Sequence, residues 1–138
     1  MSRPPDDFPA SGEAGAEAER LAALACYGIL DTPAEAAFDD AVALAAQLCA
    51  TPTALVSLVT GDRQWFKARV NFPSCETDLN SSVCAHALAQ PDEVLVIPDL
   101  TADPRTRANP LVTGDPFIRF YAGAPLVTPD GHVLGSLC

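Results

Sequence analysis

The chain has 138 residues and carries 18 acidic side chains against 8 basic ones, a net charge of −10. Nucleic acid and anionic membrane surfaces repel such a chain on average, so neither is an expected partner. With 49% hydrophobic and 19% charged residues the composition is that of one globular domain with a real core, and no apolar run approaches the roughly 18–20 residues of a membrane span.

The N-terminal residues lack the apolar centre of a signal peptide, which points to the cytoplasm. Cys26, Cys49, Cys75, Cys84 and Cys138 form an odd set with no C-x-x-C pair, so reduced thiols are expected rather than a disulfide framework. Residues 1–15 are rich in proline, small residues and acids and read as a disordered tail, with the folded domain over 16–138.

A helix is expected over about 17–27, where Glu17 and Arg20 pair and Leu21, Leu24 and Ala25 make a narrow apolar stripe, with Gly28 as its stop. The run Asp31, Thr32, Pro33, Ala34, Glu35 then reads as a capping box: Thr32 at the cap, Pro33 at the first helical position, Glu35 reaching back. The helix it starts places Phe38, Val42, Ala45, Leu48 and Cys49 on one side, and Pro52 ends it. Residues 54–59 are apolar at almost every position, as in a central strand. After a turn at 60–62, residues 64–70 alternate, with Phe66, Ala68 and Val70 inward and Trp65, Lys67 and Arg69 on a wetter face, as at a sheet edge.

Residues 71–81 form a loop, and Ser81 or Ser82 caps a short helix over 83–89. A short strand at 94–97 and a long, partly helical crossover at 98–115 follow. The last stretch, 117–138, is a hairpin around Thr128, Pro129, Asp130 and Gly131. Its first strand places Ile118, Phe120, Ala122, Ala124 and Leu126 on a core face; its return strand is apolar on both sides. Gly123 and Gly135 suggest close backbone approach or a bulge, and Pro125 belongs on an unpaired side.

Little of this dictates chemistry. Cys84 and His86 stand two residues apart in a Cys-Ala-His motif, so on a helix they point in different directions and make a poor catalytic dyad. They supply two metal ligands where zinc takes four, and no metal site is expected. In the crossover, Asp103, Pro104 and Arg105 read as a turn with a local ion pair, and Asp99 as a turn residue; a crossover folded over a pocket would turn Arg105 towards an anionic ligand. Trp65, Phe66 and Tyr121 read as packing residues that can line a cavity.

Three motifs in order, RQWFKA at 63–68, SSVCAHAL at 81–88 and FYAGAPLVTPDGHVLGSLC at 120–138, resemble the GAF domains near the N-terminus of bacterial histidine kinases and diguanylate cyclases. The resemblance spans about residues 20–138. It implies an α+β domain: a central antiparallel sheet of about five strands, N-terminal helices on one face, and a short helix with the crossover on the other. Such domains add a C-terminal helix after the last strand, so the chain reads as truncated within that strand, leaving an apolar face partly uncovered.

The resemblance also implies a non-catalytic, two-component-type sensory module: a small-molecule pocket under the crossover with Cys84, His86, Asp99, Arg105, Phe66 and Tyr121 as its candidate residues, a homodimer, and an output kinase or cyclase domain absent here. It names no ligand or cofactor. Some GAF domains attach a tetrapyrrole through a cysteine followed directly by histidine; here Ala85 intervenes. Free methionine-(R)-sulfoxide reductases share the fold and use paired cysteines. Cys75 and Cys84 flank one loop in that manner, but no cysteine lies between Cys84 and Cys138, where that enzyme places another. A purely structural dimerisation module is the third reading.

Overall fold

The computed structural model describes residues 10–138. Helix α1 (Ala10–Tyr27) begins earlier than its sequence signals suggest, and residues 1–9 of the expected tail lie outside the described residues. Helix α2 covers Ala36–Cys49. Six strands follow: β1 (Ala54–Val59), β2 (Arg63–Val70), β3 (Glu76–Asp78), β4 (Leu95–Ile97), β5 (Tyr121–Val127) and β6 (Val133–Leu137). They form one antiparallel sheet in the order β3-β2-β1-β6-β5-β4. The fold is α+β as expected; the strand beyond the expected five is β3, whose three polar residues carry no strand signature.

The return strand of the hairpin, β6, pairs with β1 on one side and β5 on the other. Its apolar composition is explained: Val133 to Ser136 are buried, with both faces covered. The turn before it closes as the residue types dictate. Gly131 sits at φ 94°, its N–H bonds Thr128 O, and the Thr128 hydroxyl donates to Asp130 and accepts from His132 N. Strand β4 pairs only with residues 121–123, so Pro125 falls where the outer side of β5 is unpaired.

Both helices lie on one face of the sheet. Leu24 of α1 is 1% exposed against Leu58, Trp65 and Leu134, a burial worth about 1.5–3 kcal/mol. Arg20 enters the same contact: its guanidinium pairs with Glu17 and donates to the carbonyls of Val59 and Val133, tying α1 to the ends of β1 and β6. Val42 of α2 packs on Ala54, Val56 and Ala68.

Four local expectations are corrected. The capping box does not form: Glu35 itself is the cap residue, with no side-chain cap bond. Its carboxylate and the Thr32 hydroxyl turn instead to the ammonium of Lys67, at 2.6 and 2.7 Å. Leu48 and Cys49 are exposed, because α2 touches the sheet along Phe38, Val42, Ala45 and Ala46 and has turned away before its last residues. β2 has no wetter face in its middle: α1 covers Trp65, and the irregularity between Val56 and Ser57 makes room for Lys67 under the 32–35 turn. In β5 the deepest residues are Tyr121 and Gly123, not the Phe120–Ala122–Ala124 series. The strand starts at Tyr121, and no described helix covers the face that Phe120 and Ala122 share; the expected apolar patch lies there, with Val96 half exposed beside them.

Candidate functional site

The other face of the sheet is roofed by a short 3-10 helix, Cys84–Ala89, and by the crossover with its own short helix α3 (Pro110–Thr113). Ser82 sets the entry to the roof: its Oγ accepts the N–H of Ala85 at 3.0 Å and donates to Gln64 Oε1 at 2.8 Å. Gln64, 3% exposed, takes a second bond from Ser57 Oγ at 2.8 Å and donates from Nε2 to Thr77. One buried amide thus ties β1, β2, β3 and the roof together. A buried amide left unpaired costs about 1–3 kcal/mol, so this alignment is strongly specified.

Next to this row lies a second polar cluster. Tyr121 Oη donates to Cys84 Sγ at 3.2 Å, so the Ser136 hydroxyl, 3.2 Å away, must be the donor in its bond to Tyr121. Cys84 Sγ is 3.3 Å from Cys138 Sγ. The Cys138 bond lowers the Cys84 thiol most; burial opposes it, and hydroxyls add to it, bringing Cys84 to about 6. Its partner Cys138 is pushed well above the usual thiol value, by the same bond and by burial. Protons leave such a pair in steps belonging to both sulfurs, and Tyr121, which faces Cys84, places the first charge there. Burial raises the Tyr121 phenol far above its usual range, so it stays a donor.

Of the residues nominated from sequence, Cys84 and Tyr121 come together. His86 is half-buried in the roof, where its backbone N–H bonds Val83 O at 3.0 Å, and its imidazole is not among the groups bonded to Cys84. Asp99 caps Thr101 through its N–H and hydroxyl, and Arg105 forks onto Asp103; both are exposed turn residues. Phe66 packs edge-on to Phe72, centroids 5.2 Å apart. Cys75 is exposed, and the thiol beside Cys84 is Cys138. Sequence patterning gives Ser82 only as a helix cap, a bond it does make to Ala85, and passes over Ser57, Gln64 and Ser136; for the two strand serines the available signal was a lone serine inside each apolar strand, ALVSLV and VLGSL.

Beneath the roof, Val59, Ile97, Leu100 and Val112 pack with Val83, Cys84 and Tyr121. Two clefts open elsewhere. One, of about 330 Å³, lies between Tyr27 and the hairpin turn; the other, of about 350 Å³, runs along the outer edge of β2 past Phe66, Lys67 and Cys75.

A roofed antiparallel sheet with its helices on the opposite face is the GAF arrangement, and the sequence profile of the GAF domain matches residues 33–138. The chain belongs to the GAF family. It is 43% identical over 122 residues, 88% of its length, to the cyclic di-GMP phosphodiesterase PA2567 of Pseudomonas aeruginosa, of which it spans 21%. Among solved structures it resembles the GAF domain of a phosphoenolpyruvate-protein phosphotransferase from Coxiella burnetii (TM-score 0.59, 13% identity, 90% of this chain and 76% of that one). It also resembles free methionine-R-sulfoxide reductase from Neisseria meningitidis (TM-score 0.56, 16% identity, 99% and 77%).

Proposed function

We propose that this chain is a non-catalytic sensory GAF module, in which a small molecule or a change of redox state alters the order of the roof over 83–90 and the helices on the far face relay the change. The observation that carries this reading is the double polar row, Ser57–Gln64–Ser82 and Ser136–Tyr121–Cys84, sealed between roof and sheet. A domain built only for stability is served as well by apolar residues there. Because the space is packed, a ligand would be admitted by a second state in which the roof lifts, and regulation requires different affinity for the two states. Likeness to the Pseudomonas phosphodiesterase supports a place beside a signalling output, a kinase, cyclase or phosphodiesterase domain, and a homodimer is the arrangement we expect.

Native mass spectrometry of freshly purified protein tests this: a stoichiometric small molecule, lost together with roof protection in hydrogen exchange, is the expected result. A bare mass with a roof as protected as the central strands rejects ligand sensing and favours the structural dimerisation module. The enzyme alternative rests on the Cys84–Cys138 pair and on the fold shared with the Neisseria reductase. It requires turnover of free methionine sulfoxide with a thioredoxin system, and we expect none.

A further inference from the structure

We propose that Cys84 and Cys138 are a two-electron thiol–disulfide site, oxidised by small hydroperoxides, whose closure staples the roof to the sheet. The proposal deepens the sensory reading by naming a stimulus, and only its regulatory meaning rests on that reading.

The geometry is specific to this pair. The sulfurs are 3.3 Å apart, and a bond of about 2 Å needs only a small closing motion. Each thiol is held from its own side. Cys138 N and O both pair with Leu55, at 2.9 and 2.7 Å, which fixes the end of the sheet, and Cys84 begins the turn that Ser82 and Gln64 anchor. Cys26, Cys49 and Cys75 are exposed and free. The two sulfurs are also not equivalent. The hydroxyl chain Ser136 to Tyr121 ends on Cys84, which stabilises a thiolate there and makes Cys84 the attacking group and Cys138 the resolving one. Cys84 is 3% exposed and Cys138 is partly buried beside it, a setting that favours a small oxidant over a bulky disulfide.

In the first step the Cys84 thiolate attacks one peroxide oxygen. The O–O bond breaks, an S–O bond forms, and the departing hydroxide or alkoxide takes up a proton to leave as water or alcohol. In the second, the Cys138 sulfur attacks the Cys84 sulfenic acid. The S–S bond forms, the S–O bond breaks, and the hydroxyl leaves as water with the Cys138 proton. Two thiols are oxidised by two electrons and one peroxide is reduced. The product ties positions 54 apart in sequence and removes the thiolate that accepts from Tyr121.

The test uses the full chain carrying Cys26→Ala, Cys49→Ala and Cys75→Ser, reduced, treated with equimolar hydrogen peroxide, blocked with N-ethylmaleimide and peptide-mapped. We expect loss of both thiols, a peptide joining 84 to 138, and reversal by dithiothreitol; with Cys138→Ser added, dimedone traps a sulfenic acid on Cys84. Recovery of Cys84 and Cys138 alkylated, or as sulfinic acids without the cross-link, overturns the proposal, and the same map on the unsubstituted chain guards against a folding artefact. Hydrogen exchange over 83–90 should slow by roughly tenfold on oxidation. A cross-link with unchanged exchange keeps the dithiol and removes its sensory meaning.

Discussion

Tyr121 reaches Cys84 because of a residue that has no side chain. A β-carbon on Gly123 would stand 2.2 Å from the Tyr121 hydroxyl, so the phenol lies back along its own strand over the glycine. Gly123→Ala displaces the ring, breaks its bond to Cys84 and costs about 1–3 kcal/mol in urea unfolding. Gly135→Ala meets the Ser57 carbonyl at 1.7 Å, backbone that cannot swing aside, and should cost clearly more than Gly123→Ala. Equal unfolding midpoints for the two would contradict this packing.

The same contact sets an acid–base property. With Cys84 lowered to about 6, the reduced chain should show thiolate ultraviolet absorbance growing in with a midpoint near that pH. Cys84→Ser removes this transition, and Tyr121→Phe, which deletes a donor to the thiolate, moves it up by about one pH unit. No change on Tyr121→Phe would mean the hydroxyl does not hold the charge. At the surface, Asp103 is lowered to about 2, first by the Arg105 guanidinium and then by the Arg105 N–H. A carboxyl lowered by folding stabilises the fold above its unfolded value of about 4, and that contribution is lost as pH falls through about 2. Asp103→Asn should therefore flatten the acid limb of stability between those values: the variant is slightly less stable than the parent at neutral pH and equal to it near pH 2, and equal stabilities at both ends would mean the ion pair contributes nothing.

Among the elements, the start of α2 illustrates how a local signal loses to a distant one. Thr32, Pro33 and Glu35 have the residue types and spacing of a capping box, and in an isolated peptide that box would form. In the folded chain the Lys67 ammonium, its side chain wholly buried, takes the Thr32 hydroxyl, the Pro33 carbonyl and the Glu35 carboxylate, with the Phe38 ring 5.6 Å away. A buried cation needs those partners more than a helix end needs one cap. Lys67→Ala should cost about 2–4 kcal/mol and loosen α2, whereas Glu35→Ala, at a half-exposed carboxylate, should cost about 1 kcal/mol or less. The reverse order in urea unfolding would mean that capping, not the lysine, holds this turn. Nothing in the alternation of residues 64–70 announces the irregularity beside Val56 that brings Lys67 inside, since a bulge depends on both strands at once.

For the whole molecule, the two faces of the sheet have different work. α1 and α2 cover β1, β2 and β6, while Val94, Val96 and Phe120 remain 59, 50 and 49% exposed on the same face over β4 and β5. Such a patch binds hydrophobic dyes and promotes association. Val96→Lys with Phe120→Ser should lower anilinonaphthalene sulfonate fluorescence several-fold while shifting the thermal midpoint by only a few degrees; unchanged fluorescence would mean that the dye binds elsewhere. The opposite face is closed by the roof and carries both polar rows, which is where a state with altered roof order would be read.

The order of helices and strands apart from β3, the hairpin turn at 128–131 and the buried character of β6 were determined by sequence alone, because periodicity, proline and glycine act within a few residues of themselves. The motifs at 63–68, 81–88 and 120–138 sufficed for the family. What only the tertiary structure decided is which of the nominated side chains meet. Cys84 finds Tyr121 and Cys138, while Asp99 and Arg105 are satisfied by their own turns. Contacts across 37 and 54 residues depend on strand order, register and two glycines together, and no local pattern encodes that combination.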